Sequence, residues 1–217
     1  MSRRVVHLTG DVWERLDVPC RGCLFWQFGE PGPAERDDDG AEAARVRKQA
    51  WTTALLHAGT PAGRAVLVDG QPVGFVEFAP AGELATRRPP VPPTDHDALV
   101  LTTMWVDPAH RTNGIGRLLV REAVRAAIER GHGEVQAHAD RRWRPDTCLL
   151  PITWLLHEGF QVAREHPRYP LLHLEVARTV RWADSLEQAV EEVRDRLPRR
   201  ATAPRPAVES RGRIDTR

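Results

Sequence analysis

The sequence predicts an α/β fold, called α+β in some schemes, with a mixed central sheet, and three observations support this prediction. Strand-like and helix-like segments alternate along the chain. Residues 64–78 have the pattern of a β-hairpin around the turn Asp-Gly-Gln-Pro at 69–72. Residues 98–106 form a nearly continuous apolar strand, and an amphipathic helix follows at 116–130. Because the hairpin contributes antiparallel strands, the sheet cannot be wholly parallel.

Weaker patterns complete the expected core. Alternation and apolar runs predict further strands at 4–8, 24–28, 134–140, 161–164 and 171–176. Apolar residues at helical spacing predict two more helices, at 41–58 and 152–158. Residues 79–97 form a proline-rich loop that is too stiff for a helix. A loop of this length is typical either of a lid over a functional site or of a solvated excursion, and the sequence leaves both open.

The length of the chain favours one domain followed by an appendage. A chain of 217 residues with 41% hydrophobic content can bury one full-sized core, which we place at 1–177. Residues 178–200 carry an apolar stripe at helical spacing, so they predict an amphipathic helix that packs on the same chain or on a second copy in a homodimer. The composition of residues 201–217 predicts a disordered tail.

Charge and hydropathy exclude several classes of protein. The 31 basic residues nearly balance 30 acidic ones, and the arginines are scattered among the acids. We therefore expect no nucleic-acid partner and no attraction to an anionic membrane. No apolar run is long enough to cross a bilayer, and the first residues lack the apolar stretch of a signal peptide. The sequence therefore predicts a cytoplasmic protein.

The three cysteines, Cys20, Cys23 and Cys148, are too few for a disulfide framework in a chain of this size. Cys20 and Cys23 have the spacing of zinc ligands. A structural zinc site needs two further ligands, however, and neither a second cysteine pair nor a His-x-x-x-His run follows. We therefore expect no metal, and we interpret Cys20 and Cys23 as small buried side chains beside residues 24–26.

The most informative segment is the turn Arg-Thr-Asn-Gly-Ile-Gly at 111–116, between the buried strand and the amphipathic helix. A strand that leads through such a turn into a helix forms an anion site, because unpaired main-chain N–H groups converge at the helix N-terminus. Gly114 and Gly116 lack a Cβ, so a diphosphate can approach the main chain, and Arg111 and Arg117 add positive charge. A dinucleotide site needs a third glycine and a later acidic residue, and neither stands in the required place.

The pattern Arg-x-x-Gly-x-Gly after a strand ending in Val-x-Pro resembles the acetyl-CoA signature of the GNAT superfamily of N-acetyltransferases. A second segment, residues 154–160, resembles the aromatic-x-x-x-x-Gly-Phe element that closes the fourth helix of that fold. In fold order the resemblance spans roughly residues 4–177, and only these two short segments are specific in sequence.

The resemblance implies a GNAT-like sheet, mixed and mostly antiparallel, that is flanked by helices and splays at the cofactor site. The pantetheine of acetyl-CoA then lies in the gap as an added strand would. A backbone N–H near Met104 polarises the thioester carbonyl, and a primary amine takes the acetyl group directly. The cofactor-binding residues so implied are Met104, Trp105, Val106, Arg111, Thr112, Asn113, Gly114, Ile115, Gly116 and Arg117.

The sequence departs from the family pattern at two positions. Leu155 stands where a tyrosine general acid is common, and Cys148 stands where asparagine is common. Because leucine cannot protonate a thiolate, the departing sulfur relies on water or another side chain, or it leaves as the anion. The only tyrosine, Tyr169, could reach the cleft or could be an edge-strand aromatic residue. We interpret Cys148 as lining the cofactor or acceptor side.

Three residues are candidates for the general base: Glu77, His138 and Asp140. His138 and Asp140 share one face of a strand near its carboxyl end, where ligands of open α/β sheets gather. Imidazole titrates in the useful pH range. Each of the three could equally be a solvated or hydrogen-bonded residue with no catalytic role.

Two other functions stay open at this stage. Because Leu155 removes the usual acid, the chain could be a non-catalytic module that senses acyl-CoA or acts as a scaffold. Plain dinucleotide binding is the third interpretation. The acceptor amine is not identified by the sequence, since substrate loops on one fold vary freely.

Overall fold

The structure is a computed structural model that describes residues 2–30, 38–85, 91–144 and 147–177. The chain divides into two compact units, residues 1–180 and 181–217, and all described residues belong to the first. The predicted helix at 178–200 and the predicted tail at 201–217 lie outside the described residues. Both therefore stay predictions.

An eight-stranded sheet forms the centre of the first unit. Its strands are β1 (Arg3–His7), β2 (Gly63–Val68), β3 (Gln71–Pro80), β4 (Leu99–Val106), β5 (Glu134–Asp140), β6 (Leu150–Pro151), β7 (Gln161–Arg164) and β8 (Leu171–Glu175). The strand order is β1-β2-β3-β4-β5-β8-β7, with β6 paired to β5 beside this path. Only the pairings of β5 with β4 and with β6 are parallel. The predicted mixed, mostly antiparallel sheet is therefore confirmed.

Helices cover both faces of this sheet. They are α1 (Gly10–Glu14), α2 (Phe25–Phe28), α3 (Asp38–His57), α4 (Ile115–Glu129) and α5 (Ile152–His157). The apolar stripe of α4 and the buried side of α5 pack on one face, against strand residues such as Val76, Leu101 and Val135. On the opposite face, Trp13 of α1 packs against Phe75 with ring centroids 4.9 Å apart. This burial on both faces explains why β4 is a nearly continuous apolar run.

The β2–β3 hairpin is confirmed, and its turn is tighter than predicted. Only Asp69 and Gly70 connect the strands, with φ values of 47° and 84°. Two left-handed residues in a row are typical of the hairpin turn whose twist matches that of the flanking strands. Gln71 and Pro72 therefore belong to β3 and not to the turn.

The predicted strand at 24–28 is wrong, because residues 25–28 form the short helix α2. The amides of Phe28 and Gly29 donate to the carbonyls of Leu24 and Phe25, at 2.9 Å and 2.8 Å. Gly29 then ends the helix in the left-handed conformation, with φ of 68°. A mostly apolar run of five residues is too short to show a period, so the sequence could not separate a buried helix turn from a strand.

The described part of the loop at 79–97 packs on the sheet. The carbonyl of Pro92 accepts a hydrogen bond from Nε2 of His138 at 2.7 Å. The amide of Asp95 donates to Oε1 of Gln136 at 2.9 Å. Residues 91–95 therefore cover the polar face of β5, which the alternating pattern had left as a surface for solvent or ligand.

An irregularity in β4 sets the shape of the sheet at its centre. In the β3–β4 ladder Glu77 pairs with Thr103 and Phe78 pairs with Leu101, so Thr102 is an extra residue and forms a β-bulge. The parallel pairing of β4 with β5 ends at Leu101. Beyond the bulge, β4 therefore bends away from β5 and keeps β3 as its partner.

Candidate active site

A cleft of about 700 Å³ opens where β4 separates from β5. One wall is residues 103–106 of β4, and the opposite wall is formed by residues 147–151. The turn before α4 and the first turn of that helix close one end, together with Trp154 of α5. Pro19 and Cys20 border the cleft on the face covered by α1.

The short strand β6 holds the far wall in place. The edge of β5 that faces β8 is occupied as far as Arg141, because the amides of Ala139 and Arg141 donate to the carbonyls of Pro170 and Arg168. Leu150, which pairs with Ala139, must therefore lie on the edge that β4 has left. The cleft is the space between β4 and this replacement strand.

The turn before α4 presents unpaired main-chain donors to the cleft. The first helical hydrogen bond runs from the amide of Leu118 to the carbonyl of Gly114, at 3.0 Å. The amides of Ile115, Gly116 and Arg117 precede it and have no acceptor within the helix. Gly114, the N-cap residue, has no side chain that could cap them. A 15-residue helix also carries positive potential at this end.

The two glycines of the turn are needed for different reasons. Gly114 has φ of 73°, a conformation that side chains with a Cβ rarely adopt, and the space beside it is open. Gly116 has ordinary helical geometry, but a Cβ there would lie 3.2 Å from Cζ2 of Trp154. Open space at Gly114 leaves room for a bulky anion, and the missing Cβ at Gly116 lets Trp154 close the cleft.

Nine of the ten predicted cofactor-binding residues line this cleft, and Asn113 does not. The carbonyl of Asn113 instead accepts from Nη2 of Arg3, at 3.4 Å. The side chains of both predicted arginines are partly engaged. Nε of Arg111 donates to the carbonyl of Val106 at 3.1 Å, and Nε of Arg117 donates to Oε2 of Glu158 at 3.0 Å. Each arginine therefore anchors the turn to a neighbouring element.

None of the three predicted base candidates is among the residues that line the cleft. Glu77 is fully buried directly behind the bulge. Its Oε2 accepts from Nζ of Lys48 at 3.0 Å and from Oγ1 of Thr102 at 3.1 Å. Its Oε1 is buried without a hydrogen-bond partner among the described residues. Burial alone would lower the pKa of Lys48, but the charge of Glu77 raises it, so the amine of Lys48 stays protonated.

His138 and Asp140 are held by other contacts. The imidazole of His138 stacks on Trp26 with centroids 5.1 Å apart, and burial lowers its pKa to about 4. At neutral pH the ring is therefore uncharged and weakly basic. Asp140 accepts from the amide of Arg142 at 2.7 Å and from the guanidinium of Arg168 at 3.3 Å. The two residues share a strand face as predicted, and α2 and the Arg168 segment cover that face.

The family's acid position is buried. Leu155 is inaccessible to solvent and belongs to the core cluster with α4. Tyr169 lies outside the strands and stacks on His166 with centroids 5.7 Å apart. Neither residue borders the cleft.

Cys20 and Cys148 border the same cleft, although they are far apart in sequence. All three cysteines are free thiols. The described residues contain no group of His, Cys, Asp and Glu side chains arranged to hold a metal ion. Cys23 is buried as expected, while Cys20 is half-buried and borders the cleft. The sequence interpretation placed Cys148 on the cofactor or acceptor side, but nothing in the sequence pointed to Cys20 at the same cleft.

Among the helices that the structure describes, none has the length and apolar content needed to span a membrane.

Comparison with known proteins points to one family. Residues 23–143 match the family described as "Acetyltransferase (GNAT) family". The N-acetyltransferase of Staphylococcus aureus Mu50 is similar in structure, with 13% identity, a TM-score of 0.54, and coverage of 81% of this chain and 99% of that one. No curated protein matches the sequence.

Two further solved structures share the fold and carry ligands. YncA from Salmonella typhimurium, with its cofactor acetyl-CoA, has 14% identity and a TM-score of 0.55 over 81% of this chain and 95% of its own. The PaiA N-acetyltransferase of Thermoplasma acidophilum, in complex with coenzyme A, has 14% identity and a TM-score of 0.52 over 81% and 99%. These likenesses establish the fold, and the family match covers more than half of the sequence. The chain therefore belongs to the acetyltransferase (GNAT) family, and it is an acyltransferase.

Proposed function

We propose that this acetyltransferase moves the acetyl group of acetyl-CoA directly to a primary amine, with its own main chain holding the co-substrate. One observation carries the proposal: the unpaired edge of β4 and the free amides at the start of α4 border the same cleft. The edge suits an extended amide-bearing chain, and the helix N-terminus suits a diphosphate. Coenzyme A contains both, and the related YncA and PaiA structures hold acetyl-CoA and coenzyme A.

The start of α4 would hold the diphosphate. The amides of Ile115, Gly116 and Arg117 supply donors and the helix dipole supplies positive potential. Thr112 supports this role, because it is a non-glycine residue with φ of 67°. Such strained conformations cluster at binding sites. We assign the rest of the turn, Arg111 and Asn113 included, to holding its shape.

The free edge of β4 would hold the pantetheine arm. The amide of Asp107 donates to the carbonyl of Val73 on β3, at 2.9 Å. Because successive residues of a strand direct their N–H groups to opposite edges, the amides of Met104 and Val106 point into the cleft. Val106 is already tied through its carbonyl to Arg111. The amide of Met104 is therefore the donor we assign to the thioester oxygen, and Trp105 packs behind it on the other face.

We propose Glu77 as the group that receives the amine proton, relayed through water at the bulge. It pairs with Thr103, a residue of the cleft wall, on the strand next to β4. Its Oε1 has no partner among the described residues and is available as an acceptor. His138 and Asp140 stay secondary candidates. With Leu155 buried, the sulfur would leave as a thiolate or take a proton from water.

Glu77→Gln tests this role when it is compared with Glu122→Gln. Both carboxylates are buried and paired with a basic residue, but Glu122 lies on α4 beside Arg64 and Arg125, away from the cleft. Removing a general base is expected to lower kcat by about 10²-fold or more, with little change in KM. Glu122→Gln is expected to affect stability without changing kcat. Equal kcat values for the two variants would exclude Glu77 as the base.

We further propose a cytoplasmic enzyme without a nucleic-acid partner. All three cysteines are free thiols, which suits a reducing compartment, and basic and acidic residues are balanced. The predicted homodimer is tested by measuring the molar mass of the protein in solution.

Thiol release is the experiment that separates catalysis from binding alone. Purified protein, acetyl-CoA and a panel of primary amines are mixed, and free coenzyme A is measured over time. Amine-dependent release together with an acetylated amine supports the proposal. Binding of acetyl-CoA with no release for any amine would instead favour a non-catalytic sensor or scaffold.

A further inference from the structure

The β-bulge in β4 places two consecutive side chains on one face of the sheet. Glu77 pairs with Thr103 and Phe78 pairs with Leu101, which makes Thr102 the extra residue. Because residues directly opposite each other in an antiparallel pair share a face, Thr103 lies on the face of Glu77. Thr102 lies on that face too, since its hydroxyl contacts the side chain of Glu77. The bulge therefore gives Glu77 two neighbouring threonines where a regular strand would supply one.

The two threonines have different surroundings. Thr103 borders the cleft, whereas Thr102 is buried against Glu77. Oγ1 of Thr102 lies 3.1 Å from Oε2 of Glu77 and 3.2 Å from the main-chain carbonyl oxygen of the same residue. A hydroxyl group has one hydrogen to donate, and both of these acceptors belong to Glu77. The hydroxyl of Thr102 is therefore committed to Glu77, whichever oxygen takes its hydrogen.

Lys48 is a second donor to the same carboxylate oxygen. Its Nζ donates to Oε2 of Glu77 at 3.0 Å, and both side chains are buried. Nζ also donates to the carbonyl of Cys23 at 3.1 Å and lies 5.0 Å from the centre of a ring of Trp13. These contacts fix the ammonium group. Oε2 is therefore held by donors from two elements, the helix α3 and the strand β4.

The two oxygens of Glu77 are consequently unequal. Oε2 has two donors, while Oε1 is buried and has no hydrogen-bond partner among the residues that the structure describes. A carboxylate held by one donor can rotate about that contact, and a second donor on a different element removes this freedom. We propose that Thr102 is a positioning residue for acetyl transfer: with Lys48 it holds Oε2 of Glu77 and leaves Oε1 as the atom that receives the amine proton. This inference rests on the proposed function of Glu77 as the general base.

The proton transfer that Thr102 serves uses the water relay proposed for Glu77. As the amine nitrogen bonds to the thioester carbon, one N–H bond breaks and its proton passes to the water, which gives one of its own protons to Oε1. The C–S bond breaks, and the sulfur of coenzyme A leaves with the electron pair. Because Oε2 stays on its two donors, the carboxylate keeps one orientation while Oε1 takes the proton.

The test compares Thr102→Val with Thr102→Ser in amine-dependent release of coenzyme A. Valine keeps the branched shape of threonine without the hydroxyl, and serine keeps the hydroxyl. Thr102→Val should lower kcat about tenfold or more, with KM changed by less than about twofold, because the base is present but misplaced. Thr102→Ser should restore kcat to within about twofold of the wild type.

Thr52→Val is the matched control. Thr52 is also a buried threonine, but its hydroxyl donates within α3, to the carbonyl of Lys48 at 2.9 Å, and not to Glu77. This variant should keep the wild-type kcat, so it reports what the loss of a buried hydroxyl does in general. Circular dichroism and acetyl-CoA binding verify that each variant is folded. If Thr102→Val does not fold, Thr102→Ala removes the hydroxyl and gives the same comparison.

A double variant shows whether Thr102 acts through Glu77. Thr102→Val added to Glu77→Gln should leave kcat at the value of Glu77→Gln alone, because there is no carboxylate left to position. The inference is overturned by a further full loss in that background, by wild-type kcat in Thr102→Val, or by equal losses in Thr102→Val and Thr52→Val.

Failure of the proposed function has a different signature. Wild-type kcat in Glu77→Gln would contradict the proposed base, and the role of Thr102 with it. A wild type that binds acetyl-CoA without amine-dependent release would contradict acetyl transfer itself. Loss of kcat in Glu77→Gln with none in Thr102→Val would overturn the role of Thr102 alone.

Discussion

Gly116 lies directly against the indole of Trp154, so that a Cβ at this position would be 3.2 Å from Cζ2 of the ring. The first turn of α4 and the helix α5 are therefore in contact at the mouth of the cleft. Because α5 follows β6 directly, this contact connects the helix N-terminus to the wall of the cleft opposite β4.

Gly114→Val should abolish the binding of acetyl-CoA and leave the fold intact. Valine is strained at φ of 73°, so the turn must change its backbone, and the amides of Ile115 and Gly116 would move. In a thermal-shift assay the wild type should gain about 2.7 kcal/mol of stability at a ligand concentration a hundredfold above Kd, and the variant should gain none.

Gly133→Val is the control for that substitution. Gly133 has open space around it and no left-handed φ, and it lies away from the cleft. This variant should keep the full shift. An undiminished shift in Gly114→Val would show that the diphosphate is bound elsewhere.

Gly116→Ala should weaken acetyl-CoA binding through Trp154, and a second substitution should restore it. The added methyl group is too close to the indole, and overpacking of this kind costs about 1–3 kcal/mol. Trp154→Phe removes the part of the indole ring that contains Cζ2. The Kd of the double variant should therefore be closer to the wild-type value than a sum of the single effects predicts. Strict additivity in calorimetry would mean that the contact does not shape the site.

Lys48→Met should destabilise the fold by about 3–5 kcal/mol, because Glu77 is left as a buried charge without its partner. Replacing both residues, as in Lys48→Met with Glu77→Leu, removes the charge and should recover most of the loss. Chemical denaturation of the two variants measures the difference. A double variant less stable than Lys48→Met would show that burial of the pair is not the controlling factor.

The stability of the wild type should fall as the pH is lowered from about 6.5 towards 4, because of His138. Burial lowers the pKa of His138 to about 4 in the fold, against an ordinary value of 6.5. Between pH 6.5 and 4, His138 is protonated in the unfolded chain but not in the folded chain. Lowering the pH through this range therefore favours unfolding, and stability that is present above pH 6.5 is lost. The full effect is about 3 kcal/mol.

His138→Gln is the comparison, because glutamine does not titrate and can still donate to the carbonyl of Pro92. Urea unfolding at several pH values should give a steeper pH dependence for the wild type than for this variant. Parallel curves would mean that His138 is readily protonated in the folded protein.

The sequence predicts most of the elements that form the core, because their periods are strong. The helix around α4 and the strands β4 and β5 are placed within one residue of their observed bounds. The turn at 111–116 is placed at the cleft because a strand, a glycine-containing turn and a helix have one physical interpretation. Short apolar elements were less readable, and α2 and β6 were missed for that reason.

Sequence patterns could not predict which segments far apart in the chain come into contact. The face of β5 with His138 and Asp140 alternates as a ligand-facing strand would, but Pro92 and Trp26 cover His138. The sequence around Glu77 did not indicate that Lys48, which is buried on α3, would pair with it. Cys148 and Cys20 border one cleft because β6 takes the edge that β4 leaves, which is a property of the folded sheet.

A calorimetric titration with three ligands tests the central claim, that main-chain amides at the start of α4 hold the diphosphate. The ligands are acetyl-CoA, the same molecule without its 3′-phosphate, and S-acetylpantetheine, which lacks the diphosphate. The account predicts that the first two bind in a one-to-one complex and that S-acetylpantetheine binds at least tenfold more weakly, a loss of about 1.4 kcal/mol or more. Equal affinity for all three ligands, or no binding of acetyl-CoA by the folded protein, would contradict it.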